Sequence, residues 1–112
     1  MAYIHDIDIT ESINNYLFKV SKYFKIEKVY LFGSFAIGKA HKDSDIDLAI
    51  VSSSLSGNSF IDNIQLGKLT WGIDTRIEPI GFTPKDFDEM IFAKEIKKVG
   101  IEIPIKTYEH HL

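Results

Sequence analysis

The stretch of sequence that decides the fold is Leu31-Phe-Gly-Ser-Phe-Ala-Ile-Gly-Lys-Ala-His-Lys-Asp-Ser-Asp-Ile-Asp-Leu-Ala-Ile50. An apolar run that ends at Phe32 is followed directly by Gly33-Ser34, and a second apolar run begins around Asp45 and Asp47. Glycine tolerates the backbone angles of a sharp turn. The order therefore predicts a strand, a glycine turn, a short helix, a loop and a second strand.

Two carboxylates stand at the start of the second strand. Side chains on a strand alternate between faces, so Asp45 and Asp47 are predicted to share one face, roughly 6.5–7 Å apart along the chain. Adjacent carboxylates repel each other unless a cation or a proton lies between them. Magnesium binds carboxylate oxygens and leaves its other positions to water and substrate phosphate. The pair indicates a divalent metal site, and the alternative interpretation is a solvated acidic turn after a buried strand.

The glycine turn predicts the other half of a site. Gly33 allows a ligand to approach the backbone closely. A helix that begins near Ser34 would offer free amide groups and its positive end to an anion, and the serine hydroxyl adds a further hydrogen bond. Gly33 and Ser34 are therefore the candidate phosphate-binding residues.

The arrangement Gly33-Ser34 … Asp45-Ile46-Asp47 resembles the Gly-Ser-x10-Asp-x-Asp motif of the polymerase-beta-like nucleotidyltransferase superfamily. Within it, the chain is most similar to the minimal nucleotidyltransferases (MNT), small catalytic domains of which many are antitoxin partners of HEPN-domain toxins. The resemblance implies an α+β fold, in a two-layer α/β arrangement, with a small mixed β-sheet and helices packed against it. Where small members of the group often carry an arginine just before the second glycine of the spacer, this chain has Ile37.

The resemblance also implies a chemistry. Members of the superfamily transfer a nucleoside monophosphate from a nucleoside triphosphate to a hydroxyl group, using two divalent metal ions held by three carboxylates. For this chain the expected cofactor is Mg²⁺, as two ions, and the expected substrate is ATP or another nucleoside triphosphate. Asp45 and Asp47 are the expected first two metal ligands.

A third strand is predicted over residues 72–80, which alternate strictly between apolar and ionisable side chains. Asp74, Arg76 and Glu78 are expected on one face, where three ionisable groups are costly unless they face a polar cleft. The resemblance implies that the third metal ligand comes from this strand. Asp74 is expected to supply it because it lies near the strand's start, with Glu78 as the alternative. The non-functional interpretation is an ion-paired, solvated sheet face.

Helical patterns fill most of the remaining chain. The first helix, capped by Thr10 or Ser12, has an apolar stripe formed by Ile13, Tyr16, Leu17, Val20, Tyr23 and Phe24. The second, over residues 60–71, is predicted to bury Phe60, Ile61, Ile64 and Leu69, with Trp71 anchoring its end in the core. The third begins at Thr83-Pro84, is predicted to bury Phe87, Met90, Ile91 and Ile96, and ends at Gly100. An edge strand over residues 101–105 and a frayed tail over residues 108–112 complete the prediction.

Composition limits the class of protein. Length predicts one domain, residues 1–112. The net charge of −3 argues against an extended nucleic-acid-binding surface, and the absence of cysteine excludes a disulfide framework. No apolar run approaches the ~20 residues that span a bilayer, and the N-terminus has no signal pattern. A cytoplasmic location is expected.

A bare catalytic domain has no second domain to hold an acceptor, so a protein partner is expected, in a homo- or hetero-oligomer. The resemblance implies a HEPN-type toxin whose hydroxyl side chain is adenylylated and thereby silenced. The alternative is a catalytically weak or inactive module of the same fold that neutralises or scaffolds its partner by contact. A transferase acting on a small molecule, of the aminoglycoside type, is less favoured because the chain has no room for an acceptor pocket.

Overall fold

The centre of the molecule is a four-stranded mixed sheet, and the computed structural model describes residues 7–105. In chain order the elements are α1 (Ile7–Val20), β1 (Lys28–Phe32), a single 3-10 turn (Gly33–Phe35), β2 (Ile46–Val51), α2 (Ser59–Lys68), β3 (Ile77–Phe82), α3 (Pro84–Glu89), α4 (Ile91–Val99) and β4 (Ile101–Glu102). None of the helices within this range is long and apolar enough to cross a membrane.

The strand order is β3-β2-β1-β4. β1 pairs antiparallel with β2 and with β4, whereas β2 and β3 are parallel and joined through α2. This topology brings the end of β1 and the starts of β2 and β3 to the same end of the sheet. The α+β class and the mixed sheet with helices packed against it are confirmed.

The alternation of side chains along the strands divides the apolar residues into two cores. One face packs against α1 and α2 and contains Leu31, Leu48 and Ile50 among its fully buried residues. The other face packs against α3 and α4 through the alternate positions, such as Tyr30 and Ala49. Helices therefore lie against both faces of the sheet, where a two-layer arrangement had been expected.

The first helix begins earlier than predicted. It starts at Ile7, so neither Thr10 nor Ser12 is its cap, and its stripe is buried only as far as Val20. Tyr23 lies in the turn after the helix and is 66% exposed.

The predicted inward face of α2 is wrong except at Leu69, which is partly buried and packs against the core. Phe60, Ile61 and Ile64 are exposed, and Trp71, which was expected to anchor the helix end in the core, is 66% exposed. The residues that face inward are Leu66 and the carboxylate of Asp62. The reason is a set of hydrogen bonds from the preceding loop to Asp62, which fixes the rotation of the helix.

The third predicted helix is two helices, because Met90 adopts extended backbone angles between α3 and α4. The break changes the face that the second half presents. Phe87 and Ile96 are buried as predicted, but Met90 is 45% and Ile91 84% exposed. The last strand is limited to Ile101–Glu102 and lies at the sheet edge, and the predicted frayed tail lies outside the described residues.

Candidate active site

The glycine turn lies directly against a carboxylate of the second strand. Gly33 follows β1 with a φ of +73°, a conformation that favours glycine, and its carbonyl accepts a hydrogen bond from Ala36 N–H. A Cβ on Gly33 would collide with Oδ2 of Asp47. Glycine is therefore required here both by backbone conformation and by the close approach of the carboxylate. Ser34 is partly exposed within the same turn.

Three carboxylates lie near the same end of the sheet, with Asp47 between the other two. Asp47 on β2 is paired in register with Glu78 on β3, so both side chains lie on the same sheet face. Asp45 precedes β2 by one residue and is exposed. Burial, and then the charges of Asp45 and Glu78, raise the pKa of the Asp47 carboxyl above its ordinary range. The three acids thus interact unfavourably unless a cation joins them.

Asp74 has a different environment. The predicted third strand begins five residues late, at Ile77, so Asp74 lies in the preceding turn. Its Oδ2 accepts hydrogen bonds from Arg76 Nη2 at 2.8 Å and from Ser12 Oγ at 2.7 Å, and its Oδ1 accepts one from Arg76 Nε at 3.1 Å. These bonds, that of Arg76 above all, lower the pKa of Asp74 to about 2. The guanidinium thus neutralises Asp74 within the protein.

Arg76 also fixes the spacer that carries Asp45. Its Nη1 donates to the carbonyl of Lys42 at 3.2 Å, and its own carbonyl accepts from Ile46 N–H at 2.8 Å. Both contacts lie within three residues of Asp45 in the sequence. The Asp74–Arg76 pair therefore holds the loop from which the first carboxylate projects.

An aromatic wall borders the acids, and it is a feature that the sequence interpretation missed. Phe32 lies opposite Asp47 in the β1–β2 register and contacts Phe92 of α4 edge-on, with ring centroids 5.8 Å apart. The wall lies on the sheet face that also carries Asp47 and Glu78. No local signal marks Phe32 or Phe92, since the contact joins residues far apart in the chain.

The donor set fits a metal that arrives with a phosphate ligand. Among residues 7–105, no three His, Asp or Glu side chains surround a single point closely enough to hold a metal ion by themselves. Magnesium, however, is usually held by one or two carboxylates together with substrate phosphates and water. Asp45 and Asp47, which lie beside the Gly33 turn, match that requirement.

Comparisons with known proteins agree with this fold. The family model described as polymerase beta, nucleotidyltransferase matches residues 11–107. Among solved structures, a candidate nucleotidyltransferase from Sulfolobus solfataricus is 20% identical, with a TM-score of 0.59 over 91% of this chain and 86% of that chain. A toxin–antitoxin structure with AMP-PNP is 21% identical, with a TM-score of 0.59 over 88% of this chain and 76% of that chain. No curated protein matches the sequence significantly.

Proposed function

The chain belongs to the polymerase beta nucleotidyltransferase family, and on that premise we propose that it transfers AMP from ATP to a hydroxyl group of a partner protein. The observation that carries the proposal is the meeting of Asp47 with Gly33 on one side and with Glu78 on the other. A triphosphate bound beside the glycine turn would lie next to the Asp47 carboxylate.

The proposed metal ligands are Asp45, Asp47 and Glu78. Glu78 is favoured over Asp74 as the third ligand because it stands in register with Asp47, whereas Asp74 would first have to leave Arg76. Divalent ions bound there would neutralise the triphosphate and make the acceptor hydroxyl easier to deprotonate. Two ions are expected, as in other two-metal phosphoryl-transfer sites.

The remaining residues position the nucleotide. The turn at Gly33 and Ser34 would bind the β- and γ-phosphates, with the Ser34 hydroxyl donating to one of their oxygens. The acceptor oxygen then forms a bond to the α-phosphorus while the bond to the bridging oxygen breaks. Pyrophosphate leaves, and the proton of the hydroxyl passes to solvent.

The proposed acceptor is a toxin protein of the HEPN type. The similarity to a toxin–antitoxin structure with AMP-PNP supports both a protein partner and an adenine nucleotide. The HEPN identity rests on the resemblance of the Gly33–Asp47 motif to minimal nucleotidyltransferases.

A second candidate function is neutralisation of the partner by contact alone. It is favoured by the incomplete metal site, since no three acidic or histidine side chains converge within the described range. The two functions differ in whether the carboxylates are needed, and that difference can be measured.

The test uses ATP labelled at the α-phosphate, Mg²⁺ and the protein encoded next to this one in its genome. We expect label on the neighbour with the wild-type chain, and at least a roughly hundredfold lower rate with Asp45→Asn, since the substitution removes a metal ligand. Asp43→Asn is the matched control, because Asp43 is an exposed acid in the same loop. ATP labelled at the γ-phosphate should leave no label on the acceptor.

Three results are decisive. Label that depends on Asp45 and not on Asp43 supports transfer. A neighbour that binds equally well to wild type and Asp45→Asn without ever being labelled supports neutralisation by contact. Label that persists in Asp45→Asn would refute the proposed site.

A further inference from the structure

Several large apolar side chains of α2 are exposed to solvent, whereas its acidic residue, Asp62, is buried. Phe60 is 74% exposed, and Ile61 and Ile64 are 47% and 44% exposed, whereas Asp62 is only 3% exposed. The exposed apolar residues follow helical spacing, so they form one stripe along the outer surface of α2. Large apolar stripes of this kind on a surface commonly mark interaction sites.

A groove continues the stripe toward the first helix. It has a volume of about 510 Å³ and is lined by Tyr23, Phe24, Leu69, Gln65 and Lys68. Its walls are mostly apolar, yet they admit solvent. We refer to the outer stripe of α2 and this groove together as the α2 face.

The charges around the α2 face are positive. Lys68 lines the groove, and Lys19 Nζ donates to the backbone carbonyl of Trp71 at 2.9 Å, which places a second cation just beyond the C-terminal end of α2. Between residues 53 and 73 the one acidic residue is Asp62, whose carboxylate is turned inward. The α2 face is therefore apolar with a cationic rim, although the chain carries a net charge of −3.

We propose that the α2 face binds an amphipathic helix of a partner protein, whose apolar side chains enter the groove and whose flanking carboxylates meet Lys19 and Lys68. The partner protein of the proposed function would dock on this surface. The docking proposal depends on the proposed function only for the identity of that partner. Charge complementarity selects this occupant. A second copy related by a two-fold axis would place the cationic rim against itself, and a flat lipid surface would leave the groove unfilled.

The experiment uses the full chain and a synthetic helical peptide of about 18 residues, five helical turns. The peptide carries leucine along one face, glutamate on both flanks and no tryptophan. A matched peptide has lysine in place of every glutamate. Trp71 is the only tryptophan of the chain, and it lies three residues beyond Lys68 with its backbone carbonyl bonded to Lys19, so its fluorescence serves as the binding signal.

We expect the glutamate peptide to shift the Trp71 emission and to bind at least roughly tenfold more tightly than the lysine peptide, a difference of about 1.4 kcal/mol. The double variant Phe60→Ser/Ile64→Ser should lose binding, and Lys68→Glu should reverse the preference between the peptides. Ile91→Ala is the control, because Ile91 is 84% exposed on α4 and outside the proposed surface. Asp45→Asn should bind the peptide normally, which separates this surface from the transfer site.

Each other outcome overturns the proposal. Equal affinity for both peptides, or none for either, would show that the α2 face does not select an acidic helix. Concentration-dependent dimerisation of the chain alone, lost in Phe60→Ser/Ile64→Ser, would assign the surface to a second copy. A Trp71 shift with phosphatidylglycerol vesicles but not with the glutamate peptide would assign it to a membrane.

Discussion

At the scale of single residues, two aspartates of similar sequence context have opposite electrostatic environments. Asp47 is partly buried, lies against Gly33 and faces two other acids; its burial and those charges disfavour the charged form. The Asp74 carboxylate accepts four hydrogen bonds, three from Arg76 and one from Ser12, so its charged form is favoured. The first environment suits a group that receives a cation from outside. The second suits a group that stabilises the fold.

The variant Asp47→Asn should be more stable than wild type when divalent metal is removed, because it relieves repulsion with Asp45 and Glu78. We expect a higher free energy of unfolding than that of wild type, measured by urea denaturation in EDTA. The same variant should lose transfer activity. Glu89→Gln, at an exposed acid on α3, is the control and should change stability by less than about 0.5 kcal/mol. A less stable Asp47→Asn protein would contradict the unfavourable interaction.

The variant Asp74→Asn should destabilise the fold in a pH-dependent way. The folded-state pKa of about 2 lies below the ordinary value of 3.8, so the contribution of the charged form is fully present above about pH 4 and lost as the pH falls toward 2. We expect a loss of roughly 1–2 kcal/mol at pH 7, since the carboxylate is partly solvated and each pKa unit corresponds to about 1.4 kcal/mol. Urea denaturation at pH 7 and at pH 2.5 measures it. A difference from wild type that stays constant over this range would show that the ion pair is not its source.

At the scale of elements, polar contacts set the orientation of α2. Asp62 accepts hydrogen bonds from Ser56 N–H, Ser56 Oγ and Gly57 N–H at 2.8–3.0 Å. Asn58 caps the N-terminus of α2. Asn63, on the same helix, accepts a hydrogen bond from Gly81 N–H of β3 through its side-chain oxygen. These bonds tie both the loop and the neighbouring strand to one side of the helix. The apolar side chains are left on the other side.

The variant Asp62→Ala should therefore be strongly destabilised. It leaves the donors of Ser56 and Gly57 without their acceptor, and we expect a loss of roughly 2–3 kcal/mol in the free energy of unfolding. Gln65→Ala, an exposed position on the same helix, should change it by no more than about 0.5 kcal/mol. Thermal unfolding followed by circular dichroism measures both. Equal stability of the two variants would show that Asp62 does not hold the loop.

At the scale of the whole molecule, the candidate site is assembled from three strands at one end of the sheet. β1 contributes Phe32 and the glycine turn that follows, β2 contributes Asp47, and β3 contributes Glu78. Helices on both faces hold these strands through two separate cores. A ligand that bridges the three strand ends should therefore stabilise the entire fold.

Mg²⁺ and ATP together should raise the melting temperature by several degrees, while either alone should have little effect. The reason is that the carboxylates bind the metal well only when triphosphate completes its coordination shell. Differential scanning fluorimetry with the four combinations of metal and nucleotide tests this. The rise should disappear in Asp45→Asn and persist in Asp43→Asn. An equal rise with Mg²⁺ alone would indicate a preformed metal site.

Glu78 and Asp74 show which part of the candidate site the sequence could predict and which part it could not. Strict alternation over residues 72–80 indicated both acids on one strand face, and the position nearest the predicted start favoured Asp74. The strand begins at Ile77, because residues before it form a turn closed by the Asp74–Arg76 contacts. Which acid stands beside Asp47 depends on pairing between strands, and no local pattern encodes that pairing.

The sequence by itself determined the two motif strands, the glycine turn between them and the shared family, because these depend on backbone preferences and short spacings. Only the tertiary structure decided that Glu78 faces Asp47, that Asp74 is neutralised by Arg76, and that α2 turns Phe60 outward and Asp62 inward. Each of these depends on contacts between residues distant in the chain. A helix with apolar residues on several sides is oriented by its polar partners, and those partners are known only once the chain has folded.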